Sequence, residues 1–144
     1  MDNLRSLLAG REPIWVSPDT TVLDATKILT SRRFGTCAVY EGGQLVGVFS
    51  ERDLAFRVVA AGLDPTTTLV RAVMTRDVVV AELDDSYDRC ILKMTVAGCR
   101  HLPVLDRGRY AGMVSMRDLM NAHAAELEEE MKNLRAYVTE TGAS

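Results

Sequence analysis

The stretch Gly47-Val48-Phe49-Ser50-Glu51-Arg52-Asp53-Leu54 returns as Gly112-Met113-Val114-Ser115-Met116-Arg117-Asp118-Leu119. Glycine, serine, arginine, aspartate and leucine recur at one constant offset of 65 residues. Each copy is an apolar, strand-like run that ends in a hydroxyl and opens a helix. A repeat has to be recognised before single elements are assigned, because it dictates the architecture. Ser50-x-x-Asp53 and Ser115-x-x-Asp118 also carry capping-box spacing, with aspartate in the acid position. On that ground alone, hydroxyl and carboxylate satisfy the first unpaired N–H groups of their own helices.

Outward from the motif the match continues without a gap, residues 14–54 lying over 79–119. Ile14-Trp15-Val16 meets Val79-Val80-Ala81, two short strand-like runs. Val22, Ala25, Ile28 and Leu29 have the spacing of one buried helix face, matched by Tyr87, Cys90, Lys93 and Met94. Thr36 to Tyr40 meets His101 to Leu105 as a second strand. Gly42-Gly43 and Arg107-Gly108 mark hairpin turns, and a third strand follows each. Every half therefore reads β-α-β-β-α, an α+β chain of two repeats. Residues 1–66 are read as the first repeat with an N-terminal segment, 67–122 as the second, and 123–144 as a C-terminal helix and tail. A unit of about 60 residues buries a marginal fraction of its surface alone. The halves are expected to pack as a pseudo-two-fold pair and complete one core.

The 144 residues are 47% apolar and 26% charged, with a formal net charge of −3. These values fit a globular protein and give no global attraction to nucleic acid. No apolar run approaches the ~20 residues of a membrane span, and the start, Met1-Asp2-Asn3-Leu4-Arg5, does not read as a secretory signal. Cys37, Cys90 and Cys99 are odd in number and form no C-x-x-C. Reduced, packed thiols in a cytoplasmic protein follow as the expectation.

The order of elements, the duplicated G-h-h-S-x-R-D endings (h, apolar), the run Arg100-His101-Leu102-Pro103-Val104 and Met74-Thr75 at the opening of the second half resemble a tandem CBS-domain pair, or Bateman module. The resemblance covers residues 4–122. It implies a regulatory module, not an enzyme, that binds an adenosine-type nucleotide between its repeats: AMP, ADP, ATP, NAD or S-adenosylmethionine. It further implies an adenine nucleotide as regulatory ligand with no catalytic cofactor, a homodimer, and a regulated protein of unknown identity.

Under that resemblance, Asp53 and Asp118 take the ribose hydroxyls, for which a carboxylate with two acceptor oxygens is suited. Ser50 and Ser115 reach phosphate at helix N-termini. Arg52 and Arg117 stand where the helix dipole disfavours a cation, so each is expected to meet phosphate or a carboxylate, or else to be plain surface charge. One site then combines Ser50, Arg52 and Asp53 with Arg100, His101 and Pro103, and Val78 and Val79 lie beside its base. The mirror site combines Ser115, Arg117 and Asp118 with Thr36 and Ala38, and Pro13 or Ile14 borders its base. The first site has the added guanidinium and imidazole, so it is expected to hold phosphorylated adenosine more tightly.

Other readings of the same residues are weaker. His101 has no Cys, Asp or Glu at ligand spacing on its element, which disfavours a metal site. An enzyme would need a nucleophile or acid–base pair beyond the capping carboxylates. Nucleic-acid binding is opposed by the acidic balance and the low aromatic content. The main alternative is a structural protein-interaction module without a functional nucleotide site. Past the motif, Leu127, Met131, Leu134 and Val138 form an apolar stripe on a continuing helix, expected to be a dimer contact rather than a helix folded back on its own domain.

Overall fold

The computed structural model describes residues 3–140. The ends of the expected first and last segments, residues 1–2 and 141–144, lie outside the described residues. A short helix α1 (Leu4–Leu8) precedes β1 (Trp15–Val16), α2 (Val22–Arg32), β2 (Thr36–Glu41), β3 (Gln44–Ser50) and α3 (Glu51–Asp53), which continues as a π-helical stretch Leu54–Val59. The second half repeats the order with α4 (Val70–Val73), β4 (Ala81–Glu82), α5 (Tyr87–Ala97), β5 (His101–Asp106), β6 (Arg109–Ser115) and α6 (Met116–Glu140). The expected β-α-β-β-α pattern is present in both halves.

Each half forms a three-stranded sheet, β1-β2-β3 and β4-β5-β6. In both, the first pair is parallel and the second antiparallel. The symmetry reaches the register: Val16 faces Val39 and Ala81 faces Val104. Both central strands also slip register at the same place, after Val39 and after Val104. Local chemistry explains the shared geometry. Thr21 and Ser86 cap α2 and α5 by accepting the Asp24 and Arg89 amides. Gly42-Gly43 and Arg107-Gly108 all have positive φ, the two-residue hairpin turn that matches strand twist.

Three features depart from the sequence reading. β4 begins only at Ala81, so Val78 to Val80 lie outside the strand. The Lys93 ammonium donates to the Val80 carbonyl, taking up a group that a longer strand would pair. The helices after the motif also differ. Gly62 (φ 72°) and Pro65 close off the first within a few turns, whereas the second runs 25 residues without a breaker.

The buried side chains, finally, form two clusters rather than one core. Val16, Val22, Leu29, Val39 and Phe49 make one; Ala81, Tyr87, Met94, Leu102 and Val114 make the other. The short helices cross between them. Leu4 and Leu8 of α1 pack in the second cluster, and Val70 and Val73 of α4 pack in the first. Backbone bonds fix the exchange: the Leu4 and Arg5 amides donate to Asp85 and Leu83, and Val22 donates to Thr68. The glycine of each motif makes room for it. A Cβ on Gly47 would stand 2.6 Å from the Thr75 carbonyl, and one on Gly112 would press on Leu8 at 3.2 Å. At Gly47 only glycine lets the crossing backbone come that close, whereas at Gly112 the Leu8 methyl groups would have to give way.

Candidate functional site

A cavity of about 650 Å³ opens between the two sheets. The first repeat supplies Ser50, Glu51 and Arg52, where β3 passes into α3; the second supplies Arg100, His101 and Pro103, where α5 passes into β5. Thr75, Asp77, Val78 and Val79 of the connecting segment close one side. Each of these positions is a strand–helix junction or a linker, so the backbone is exposed and the side chains converge. The wall is mixed: three basic groups (counting His101), the carboxylates of Glu51 and Asp77, hydroxyls including Ser50 and Thr75, and apolar surface from Val78 and Val79. Seven residues expected in one site, Ser50, Arg52, Val78, Val79, Arg100, His101 and Pro103, are brought together here. Thr36, expected in the mirror site, lines this same cavity.

The two acids sit differently from the sequence expectation of oxygens open to a ligand. Asp53 is only 4% exposed. Its Oδ2 accepts from the Ser50 amide (3.0 Å) and the Ser50 hydroxyl (3.1 Å), while Ser50 Oγ accepts the Asp53 amide at 3.2 Å. Its Oδ1 accepts the Thr75 hydroxyl at 3.0 Å and lies 3.6 Å from Arg57 Nε. Asp53 therefore completes a capping box and anchors the linker from beneath the cavity. Asp118 is capped in the same way, its Oδ2 accepting the Ser115 amide at 3.1 Å. Its remaining capacity goes to Arg11, whose Nη1 and Nη2 reach Oδ2 and Oδ1 at 3.1 and 3.4 Å. Burial pushes the Asp118 carboxyl up, but Arg11 and the Ser115 amide outweigh it and hold it below the usual carboxylate range.

The other expected residues are placed as follows. Arg52 is exposed and its guanidinium lies 5.1 Å from the Phe56 ring centre, a cation–π contact. Burial lowers the His101 pKa, against the pull of Asp118 and Glu51; Phe34 meets its ring edge-on at 4.9 Å. Arg117 and Pro13 are exposed, and Ala38 is fully buried in β2. Ile14 packs on the first core, and its carbonyl accepts the Tyr110 hydroxyl at 2.9 Å. Cys37 and Cys90 are buried, with burial raising their pKa to about 12 and about 11, so neither is a ready nucleophile.

The family model described as CBS domain matches residues 5–60 and again residues 70–125. The chain belongs to the CBS-domain family. A mitochondrial CBS domain-containing protein, CBSX3 of Arabidopsis thaliana, is 31% identical over 130 residues, covering 87% of this chain and 63% of that protein. The chain thus spans less than two thirds of that relative's length. Among solved structures, a putative signal-transduction protein with CBS domains from Burkholderia ambifaria superposes with a TM-score of 0.80 at 32% identity, over 86% of this chain and 95% of the other. A CBS domain protein of Pyrobaculum aerophilum, solved in complex with AMP, superposes with a TM-score of 0.77 at 26% identity, over 88% and 97%.

Within this CBS pair, three functional neighbours escaped the sequence reading: Thr75 and Arg57 at Asp53, and Arg11 at Asp118. Thr75 and Arg11 stand on the segments that cross between cores, outside the span that the repeat aligns. Arg57 is one helical turn beyond Asp53, a spacing that suggests an ion pair. Its second task, donating to the carbonyls of Val73 and Met74 at 3.3 and 3.0 Å, needed the helix exchange to be visible.

Proposed function

We propose that this CBS pair is a regulatory sensor of adenine nucleotide, which binds in the cavity between the repeats and modulates a partner protein. The observation that carries the reading is the cavity itself. Its volume falls in the range of about 300–1,000 Å³ typical of small-molecule sites, and its wall combines an apolar side with hydroxyls, two guanidinium groups and two carboxylates. Val78 and Val79 offer the apolar surface for a base. Ser50 and Thr75, aligned from behind by Asp53, offer hydroxyls to a sugar; Arg100 offers charge and His101 a ring nitrogen to phosphate. The AMP complex of the Pyrobaculum relative supports the ligand class. Binding shifts the arrangement of the repeats by its differential affinity for the two arrangements, which is what a partner would read.

Calorimetric titration tests this directly. AMP is expected to bind more tightly than adenosine, and Arg100→Ala to remove about a tenfold advantage, the scale of one charge-assisted contact. Equal affinity for AMP and adenosine in the unaltered protein would sink the phosphate role of Arg100.

The same reading includes a homodimer. Leu127, Met131 and Leu134 of α6 are 50, 51 and 58% exposed, an apolar stripe beyond the body of the fold. A second copy covering it would bury apolar side chains that a lone protomer leaves in water. Truncation after Glu126, which leaves the packed first turns of α6 in place, is expected to halve the mass measured by light scattering. An unchanged dimer mass removes the tail from the interface.

A further inference from the structure

We propose that His101 takes up a proton when an anionic ligand enters the cavity, so that the site holds phosphorylated adenosine more tightly as the solution is acidified. The inference rests on the reading above and adds to it a regulation of the same site.

The placement of the imidazole carries it. His101 is the first residue of β5 and lines the cavity together with Arg100 and Glu51. A neutral imidazole presents one N–H and one lone pair, and the lone pair repels a phosphate oxygen. An imidazolium presents two donors and a charge, which is the form a phosphate favours. The counterpart of His101 in the first repeat is Thr36, which lines the same cavity and does not titrate. The duplicated pattern therefore supplies this imidazole once.

The neighbours set the balance before a ligand arrives. Burial disfavours the imidazolium and is the largest influence on it. Asp118 of α6 and Glu51 of α3 favour the charged ring, and Arg100, next to it in the chain, opposes it. Phe34, edge-on at 4.9 Å, brings no charge. Asp118 is already engaged by Arg11, and the outcome is a His101 pKa below the ordinary histidine value. A phosphate monoester brings about two negative charges at neutral pH. They act in the same sense as the two carboxylates, and pairing with Arg100 weakens the one cation that opposes them. The pKa of His101 therefore lies higher in the complex than in the free protein. Affinity rises as pH falls from the bound-state value toward the free-state value, and below both the ring is charged throughout and the dependence ends.

Calorimetric titration of the full chain with AMP, in pairs of buffers that differ in heat of ionisation, measures affinity and proton uptake together. The native protein is expected to bind AMP about threefold more tightly at about pH 6.5 than at about pH 8, within the tenfold per pH unit that one proton allows. It is expected to take up protons with AMP and none with adenosine. His101→Gln and His101→Asn are expected to bind AMP more weakly and to lose the uptake. The phosphate's own titration, near about pH 6, works in the opposite sense, because acid removes its second charge. Uptake in the native protein no greater than in the folded variants, or equal uptake with adenosine and AMP, would overturn the inference and leave the sensor reading intact. No binding of either ligand at either pH would defeat the sensor reading and this inference together. Far-ultraviolet circular dichroism checks that each variant folds; should neither fold, the comparison of AMP with adenosine on the native protein decides alone.

Discussion

Asp53→Ala is expected to lower the free energy of unfolding by about 3 kcal/mol, measured by urea denaturation, and Asp118→Ala by only about 1 kcal/mol. The two residues hold matching places in a duplicated motif, so sequence alone gives no reason for a difference. Both lose a helix cap, worth about 1 kcal/mol. Asp53, however, is 4% exposed and also receives the Thr75 hydroxyl and lies beside Arg57. Its removal leaves the part-buried hydroxyls of Ser50 and Thr75 without their acceptor, each costing about 1–3 kcal/mol. It also loosens the link between α3 and the segment that carries α4, because Arg57 bonds both sides. The Asp118 partner is a half-exposed arginine that water can solvate once the carboxylate is gone. Equal losses from the two substitutions would show that Asp53 is a cap and nothing more.

Leu4→Ala is expected to cost about 3 kcal/mol, the usual range for emptying a fully buried leucine site being about 2–5 kcal/mol. A residue this close to the start of a chain is commonly dispensable. Here it is fully buried in the second core, among side chains about 80 to 115 positions away in sequence, and its amide bonds Asp85. Hydrogen exchange locates the damage. Protection is expected to fall in β4, β5 and β6 of the second repeat and to persist in β1, β2 and β3. Loss confined to residues 14–59 would contradict the exchange of short helices between the cores.

The parts of this protein that were legible in sequence are those set by local chemistry. Serine three residues before aspartate announces a capped helix start, and both boxes formed. Gly42-Gly43 and Arg107-Gly108 supply the positive φ of hairpin turns. Apolar spacing on α2 and α5 gave the buried faces, Val22, Ala25 and Leu29 in one and Tyr87, Cys90 and Met94 in the other. Duplication of these signals in register also specified two sheets of one topology, and the resemblance to the CBS pair implied the cleft between them with Ser50, Arg100 and His101 on its wall.

The amino-acid sequence by itself determined the repeat, the order of its elements and the family, because each follows from contacts within a few residues or from direct comparison of the two halves. Tertiary structure alone decided which core receives α1 and α4, why Gly47 cannot carry a side chain, and which partner each motif acid keeps. Those outcomes depend on segments from about 20 to about 110 residues apart meeting in space. Thr75 finds Asp53, and Arg11 finds Asp118, only once the chain has crossed between the sheets. A pattern read along the backbone records spacing, whereas the competition for a carboxylate is settled by distance and charge in three dimensions.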